Sequence, residues 1–160
     1  LVIMFLSGWF LAYGDTTNAV AMLTKAVGLK PDYAEAYLLR GETLLKAGET
    51  AEADDDADRL LKDYPESEDV LMLKARIERA KEQPDEAILY YNKVIDANPF
   101  NAEAYRERGE MRTDTGDTDG GQDDLRHAAE LTVGQDGTAE GGDVASKVNE
   151  AYKNVNPLGI

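Results

Sequence analysis

With 160 residues, 42% of them apolar and 31% charged, the chain is long enough to bury a continuous core and is neither a disordered polymer nor a bundle of membrane spans. Its 32 Asp and Glu against 17 Lys and Arg leave a formal charge of −15, which opposes binding to a nucleic-acid phosphate backbone. The lack of cysteine removes disulfides, thiolate catalysis and Cys-based zinc sites, and the single His127 cannot build a multi-histidine metal site.

The first segment, Leu1 to Tyr13, carries no charge and is apolar nearly all round. It is shorter than the roughly 20 residues a bilayer span requires, so no membrane insertion is expected. Its length would suit a secretory core, but no basic segment precedes it and the chain does not start with Met, so such a signal would be incomplete. It reads instead as a first helix closed by the Gly14-Asp15 turn. A helix apolar on every face should be covered on every face. Ile3, Phe5, Leu6, Trp9 and Phe10 are therefore expected to pack against a preceding repeat or a second copy of the molecule.

Beyond that segment the chain repeats. Pro31, Pro65 and Pro99 fall 34 residues apart, and Gly14-Asp15, Gly48-Glu49 and Gly116-Asp117 stand at one common phase, with Glu82-Gln83 replacing the glycine in the third unit. Ala19, Ala53 and Ala87 follow each turn by five residues, with Gly121 in the fourth unit. Between Asp32 and Pro65 the apolar residues Tyr37, Leu38, Leu44 and Leu45, then Ala53, Ala57, Leu60 and Leu61, recur at three- and four-residue steps, predicting two amphipathic helices. Lys46-Ala47-Gly48-Glu49 breaks them, glycine tolerating the left-handed conformation that ends a helix. Each proline closes the second helix, because it cannot donate the required N–H. Four such pairs are read at about 1–31, 32–65, 66–99 and 100–133. The third diverges through Lys74-Ala75 and Glu78, and the first has lost one residue between Gly8 and Gly14. A Gly- and Asp-rich loop is expected over 134–142. A last helix over 143–155, with Val144, Val148, Ala151, Tyr152 and Val155 in one stripe, would cap the array.

These spacings resemble the tetratricopeptide repeat, a 34-residue helix–turn–helix unit. The likeness is clearest in Ala36-Tyr37, Arg40-Gly41, Leu44, Gly48, Ala53, Ala57, Leu60 and Pro65, and again in Ala104-Tyr105, Arg108-Gly109 and Gly116-Asp117. The resemblance implies an all-α fold, a right-handed superhelical solenoid of antiparallel helix pairs, and a non-enzymatic scaffold that binds a protein or peptide partner in a concave groove. In this family the groove is lined by one face of each first helix. By helical phase that face carries Phe5 and Trp9, then Leu38, Glu42 and Leu45, then Met72, Arg76 and Arg79, then Arg106, Glu110 and Thr113. Guanidinium groups near apolar Leu38 and Met72 suit a peptide with apolar anchors and a carboxylate; equally, the arginines could pair with neighbouring acids, Arg106 with Glu110 for instance. The chaperone-tail subset of the family is not matched, since Leu38, Leu39 and Glu42 stand where its polar clamp would be. The competing reading is an assembly module that self-associates, or joins a longer array, through the apolar first helix.

The remaining candidates have plain explanations. Glu52, Asp54, Asp55, Asp56 and Asp58 lie around a second helix and read as its solvated outer face, since calcium needs convergent oxygens from a loop. Asp117-Thr118-Asp119-Gly120 imitates a calcium loop but has Thr115 and Arg126 where the first Asp and the bidentate Glu belong. No nucleophile elbow, phosphate loop or metalloprotease motif occurs, so no catalytic residue, metal or cofactor is assigned, and His127 reads as a partly exposed helix histidine. The absence of cysteine fits a cytosolic and an exported bacterial protein alike, leaving the compartment open.

Overall fold

The computed structural model describes residues 2–135. Among them the chain runs α1 (Val2–Ala12), α2 (Thr16–Leu29), α3 (Ala34–Lys46), α4 (Thr50–Asp63), α5 (Glu68–Ala80), α6 (Pro84–Ala97), α7 (Ala102–Asp114) and α8 (Thr118–Gln135), with no strand. Two compact units divide at Pro65. In the first, α1 packs on α2, α2 on α3 and α3 on α4; in the second, α5 packs on α6, α6 on α7 and α7 on α8.

The expected punctuation acts at each helix end. Lys30, Tyr64 and Asn98 each precede a proline and leave the helical region, with φ of −133°, −131° and −142°. That is the restriction a proline ring places on its predecessor. Accordingly α2, α4 and α6 are each 14 residues long. The fourth unit has Val133 in place of the closing proline, and α8 runs 18 residues to Gln135, so residues 134 and 135 are helix rather than the start of the expected loop. The rest of that loop and the capping helix over 143–155 lie outside the described residues.

Gly14, Gly48 and Gly116 hold φ of 73°, 83° and 98° between the helices of their pairs, and Glu82 takes the same left-handed conformation at φ 58° in the third unit. The next helix then starts on Asp15, Glu49, Gln83 or Asp117. The short Asp15 side chain accepts the N–H of Asn18 at 3.1 Å, and Asp117 accepts that of Gly120 at 3.0 Å. Asp117 to Gly120 is therefore a helix start, as its sequence position implied.

Inside the first unit Leu23, Ala26, Val27 and Ala36 form a buried cluster, against which Ile3, Met4, Tyr33, Tyr37 and Leu39 pack. The second unit buries Leu71, Ile77, Tyr91 and Val94 almost completely. Ala19, Ala53 and Ala87 are wholly enclosed. At the fourth occurrence there is no room even for a methyl group: one added to Gly121 would meet Thr113 Oγ1 and lie 2.7 Å from the Gly109 carbonyl oxygen.

Candidate functional site

The first-helix face of the first unit is apolar except for Glu42. On α1, Phe5 and Trp9 are 75% and 48% exposed, and Trp9 stacks on Tyr13 with ring centroids 4.7 Å apart. On α3, Leu38, Glu42 and Leu45 are half-buried. The residues expected at a junction divide into two groups. Ile3 packs onto the α2 core and Phe10 is half-buried, whereas Phe5, Leu6 and Trp9 face outward.

In the second unit the same face is a charged network. Arg76 on α5 reaches Glu107 on α7 through Nε and Nη2, the shortest contact being 2.7 Å, and Nη2 also lies 3.0 Å from Glu103. Arg79 pairs with Glu110 at 3.2 Å, and Arg106 donates to the other Glu110 oxygen at 2.8 Å. The buried Tyr91 hydroxyl completes the set by donating to Glu107 at 2.8 Å. Burial by itself would raise the Glu107 carboxyl pKa, but the hydrogen bonds and charge of Arg76, helped by Tyr91 and Arg106, hold it below the ordinary 4.5. Burial likewise works against the Arg76 charge, and Glu107 outweighs it, raising that pKa. Tyr91 is pushed up, first by burial and then by the Glu107 charge.

Arg76, Arg79, Arg106 and Glu110 therefore come together as the helical phase implied, and the alternative of intramolecular pairing is realised for all three arginines. Met72 is a correction: only 5% exposed, it packs in the interior rather than offering surface to a ligand. Glu107 and Glu103 complete the network and are not evident from net charge. The signal for them is a spacing, since Arg76 to Glu107 and Arg79 to Glu110 are both 31 residues, one repeat less one helical turn.

A second correction concerns the acidic run on α4. Asp56 is not on the solvated outside but 3% exposed, and Arg40 clasps it through Nε at 2.8 Å and Nη2 at 2.6 Å. The hydrogen bond to Asp56 is the main cause of the raised Arg40 pKa. The second unit repeats this arrangement 68 residues later, with Arg108 clasping Asp124 at 2.8 and 2.6 Å. Each guanidinium also reaches back to the preceding second helix, Arg40 to Thr24 and Arg108 to Asn92. These clamps join three helices and are structural. His127 stands edge-on to Tyr105 at 4.4 Å, half-exposed. Among the described residues no group of His, Asp and Glu is placed to hold a metal ion, and no helix is long and apolar enough to cross a membrane.

Comparison with known proteins adds a family and a fold. Residues 10–77 match one model of the tetratricopeptide repeat and residues 72–121 a second. DnaJ homolog subfamily C member 3 of Mus musculus and that of Homo sapiens are each 31% identical over 137 residues, covering 76% of this chain and 27% of their own length. The chain thus spans about a quarter of the curated relatives it matches. Among solved structures, MamA 41-end from Desulfovibrio magneticus RS-1 superposes with a TM-score of 0.76 at 21% identity, over 84% of this chain and 76% of that one. A thermophilic TPR protein of Thermus thermophilus gives 0.71 at 21% identity over 81% and 72%. At such identities the likeness is one of fold.

Proposed function

Because the chain belongs to the tetratricopeptide-repeat family, we propose that it is a non-enzymatic protein-interaction scaffold whose first-helix face holds a segment of a partner protein. Proteins of this family are generally protein-interaction scaffolds. The observation that carries the finer reading is the convergence of Arg76, Arg79 and Arg106 in the second unit, where Arg79 and Arg106 side chains keep 40% and 48% of their surface open. Arg76 is committed, because releasing it would leave the buried Glu107 charge to the Tyr91 hydroxyl and a 3.5 Å contact from Arg106. Arg79 and Arg106 are exchangeable: their shared partner Glu110 is 35% exposed and can be rehydrated when an incoming carboxylate replaces it. Preformed helices leave most of the ordering cost to the ligand.

The test is affinity capture with the wild-type chain and with Arg79→Glu/Arg106→Glu, both shown to be folded by circular dichroism. Partners lost only with the variant support the arginine face; an unchanged set of partners contradicts it. A second reading is self-association through α1, on which Val2, Phe5 and Trp9 are exposed as an apolar patch that a partner surface would cover. Sedimentation at micromolar concentration distinguishes it, a monomer unaffected by Trp9→Ser counting against it.

A further inference from the structure

The first unit contains a cleft of about 490 Å³ between α2, α3 and α4, which shares no residue with the arginine face. Its walls combine the apolar Val20, Leu44 and Ala47 with four carboxylates, Glu49, Glu52, Asp55 and Asp56, against a single guanidinium, Arg40. Arg40 is spent on Asp56. Among the described residues no cationic side chain pairs with Glu49, Glu52 or Asp55, all of them exposed.

The second unit shows how the equivalent carboxylates are paired. At an offset of two repeats, Asp117, Asp123 and Asp124 stand at the positions of Glu49, Asp55 and Asp56, and Arg108 stands at that of Arg40. There the chain supplies its own cations. Arg112, at the position of Leu44, places Nη1 3.1 Å from Asp124 and Nε 3.8 Å from Asp117. Arg126, at the position of Asp58, pairs with Asp123 at 2.7 Å. Both arginines are absent from the first unit, where leucine and aspartate replace them, so the carboxylates remain while the guanidinium between them is gone.

We infer that the cleft formed by Leu44, Glu49, Glu52 and Asp55 is a docking site for an arginine side chain on a basic segment of a partner protein, the incoming guanidinium taking the place that Arg112 fills in the second unit. Val20, Leu44 and Ala47 receive the aliphatic stem of that side chain, and the rim carboxylates receive its N–H groups. A planar guanidinium suits several separated carboxylates better than a compact ammonium does. This site is distinct from the Arg79 and Arg106 face and takes a ligand of opposite charge, so either can fail without the other.

The test titrates the full chain with a fluorescent, capped tetra-arginine peptide at about 0.15 M salt, where long-range attraction is largely screened. Tetra-citrulline, of similar shape but neutral, serves as the control. Tetra-arginine should bind and tetra-citrulline should not. Glu52→Gln/Asp55→Asn should weaken binding about tenfold, and Leu44→Arg, which fills the cleft from within, should weaken it comparably in a chain that circular dichroism shows to be folded. Asp32→Asn/Asp63→Asn removes the same charge from the other end of these helices and should change binding less than about twofold. No binding of tetra-arginine, or equal weakening by the two double neutralisations, would overturn the site, the latter because it would reduce the effect to the overall acidity of the chain.

Discussion

Glu82 occupies a left-handed turn that glycine fills in the other three units, and an L-residue there forfeits about 1 kcal/mol that glycine would not. Replacing it should recover part of this, the rest being offset by the freer unfolded glycine chain. Glu82→Gly is expected to raise stability by about 0.5 kcal/mol, read as a higher urea midpoint; a lower midpoint would show that the side chain contributes more than its backbone costs. Glu107 presents the opposite case, a carboxylate whose removal is costly. Glu107→Gln should lose about 2 kcal/mol, the open side of Arg76 and its contact with Glu103 moderating the usual penalty for breaking a buried pair. Because its folded pKa lies below 4.5, the stability it adds is fully present above that value and disappears as pH falls through the folded pKa. The wild-type advantage over Glu107→Gln in urea midpoint should thus hold from pH 7 to 5 and shrink below 4.5; an advantage that persisted unchanged at pH 3 would contradict the assignment. Helical phase alone placed Arg76, Arg79 and Arg106 on one face. It also held the signal for Asp56, which follows Ala53 by three positions and precedes Leu60 by four on the buried stripe, and which an acidic run of five made easy to read as surface.

The helices were legible where a local rule sets their ends. Prolines at 31, 65 and 99 fix three C-termini through the residue before them, and the missing fourth proline accounts for the longer α8. The first helix is an instructive case: Gly14 marked its end, but composition could not separate the inward Ile3 and Met4 from the outward Phe5 and Trp9, because all four are apolar. The third unit shows compensation that single positions conceal. Lys74 and Glu78, each a departure from the repeat pattern, lie 3.4 Å apart as a buried pair one helical turn apart, so the two changes belong together. The small residue after each turn lets the paired helices come together, and α7 and α8 leave no room for a side chain at Gly109 and Gly121. Gly121→Ala should therefore destabilise the chain by about 2 kcal/mol despite the better helix propensity of alanine. A gain in thermal midpoint would mean that the α7 to α8 contact yields more readily than its geometry implies.

For the molecule taken together, the charge of −15 acquires structure once its members are placed. Asp56 and Asp124 are internal clamps, Glu103, Glu107 and Glu110 balance three arginines, and Glu49, Glu52 and Asp55 line a cleft without cations of their own among the described residues. What net charge leaves invisible is this division between spent and available carboxylates, which depends on pairs 16 and 31 residues apart. The repeat period made the fold readable from the sequence. The partner was not, because recognition depends on which exposed groups remain exchangeable after the intramolecular pairs are made. The most direct examination of a partner held on the first-helix face of the second unit is site-specific photocrosslinking, with a benzophenone amino acid placed in turn at Arg79 and Arg106, and at Lys62 and Glu130 on second helices. Adducts to the same partner from Arg79 and Arg106, and none from Lys62 or Glu130, are expected. Adducts from Lys62 or Glu130 alone would contradict that face as the site of partner binding.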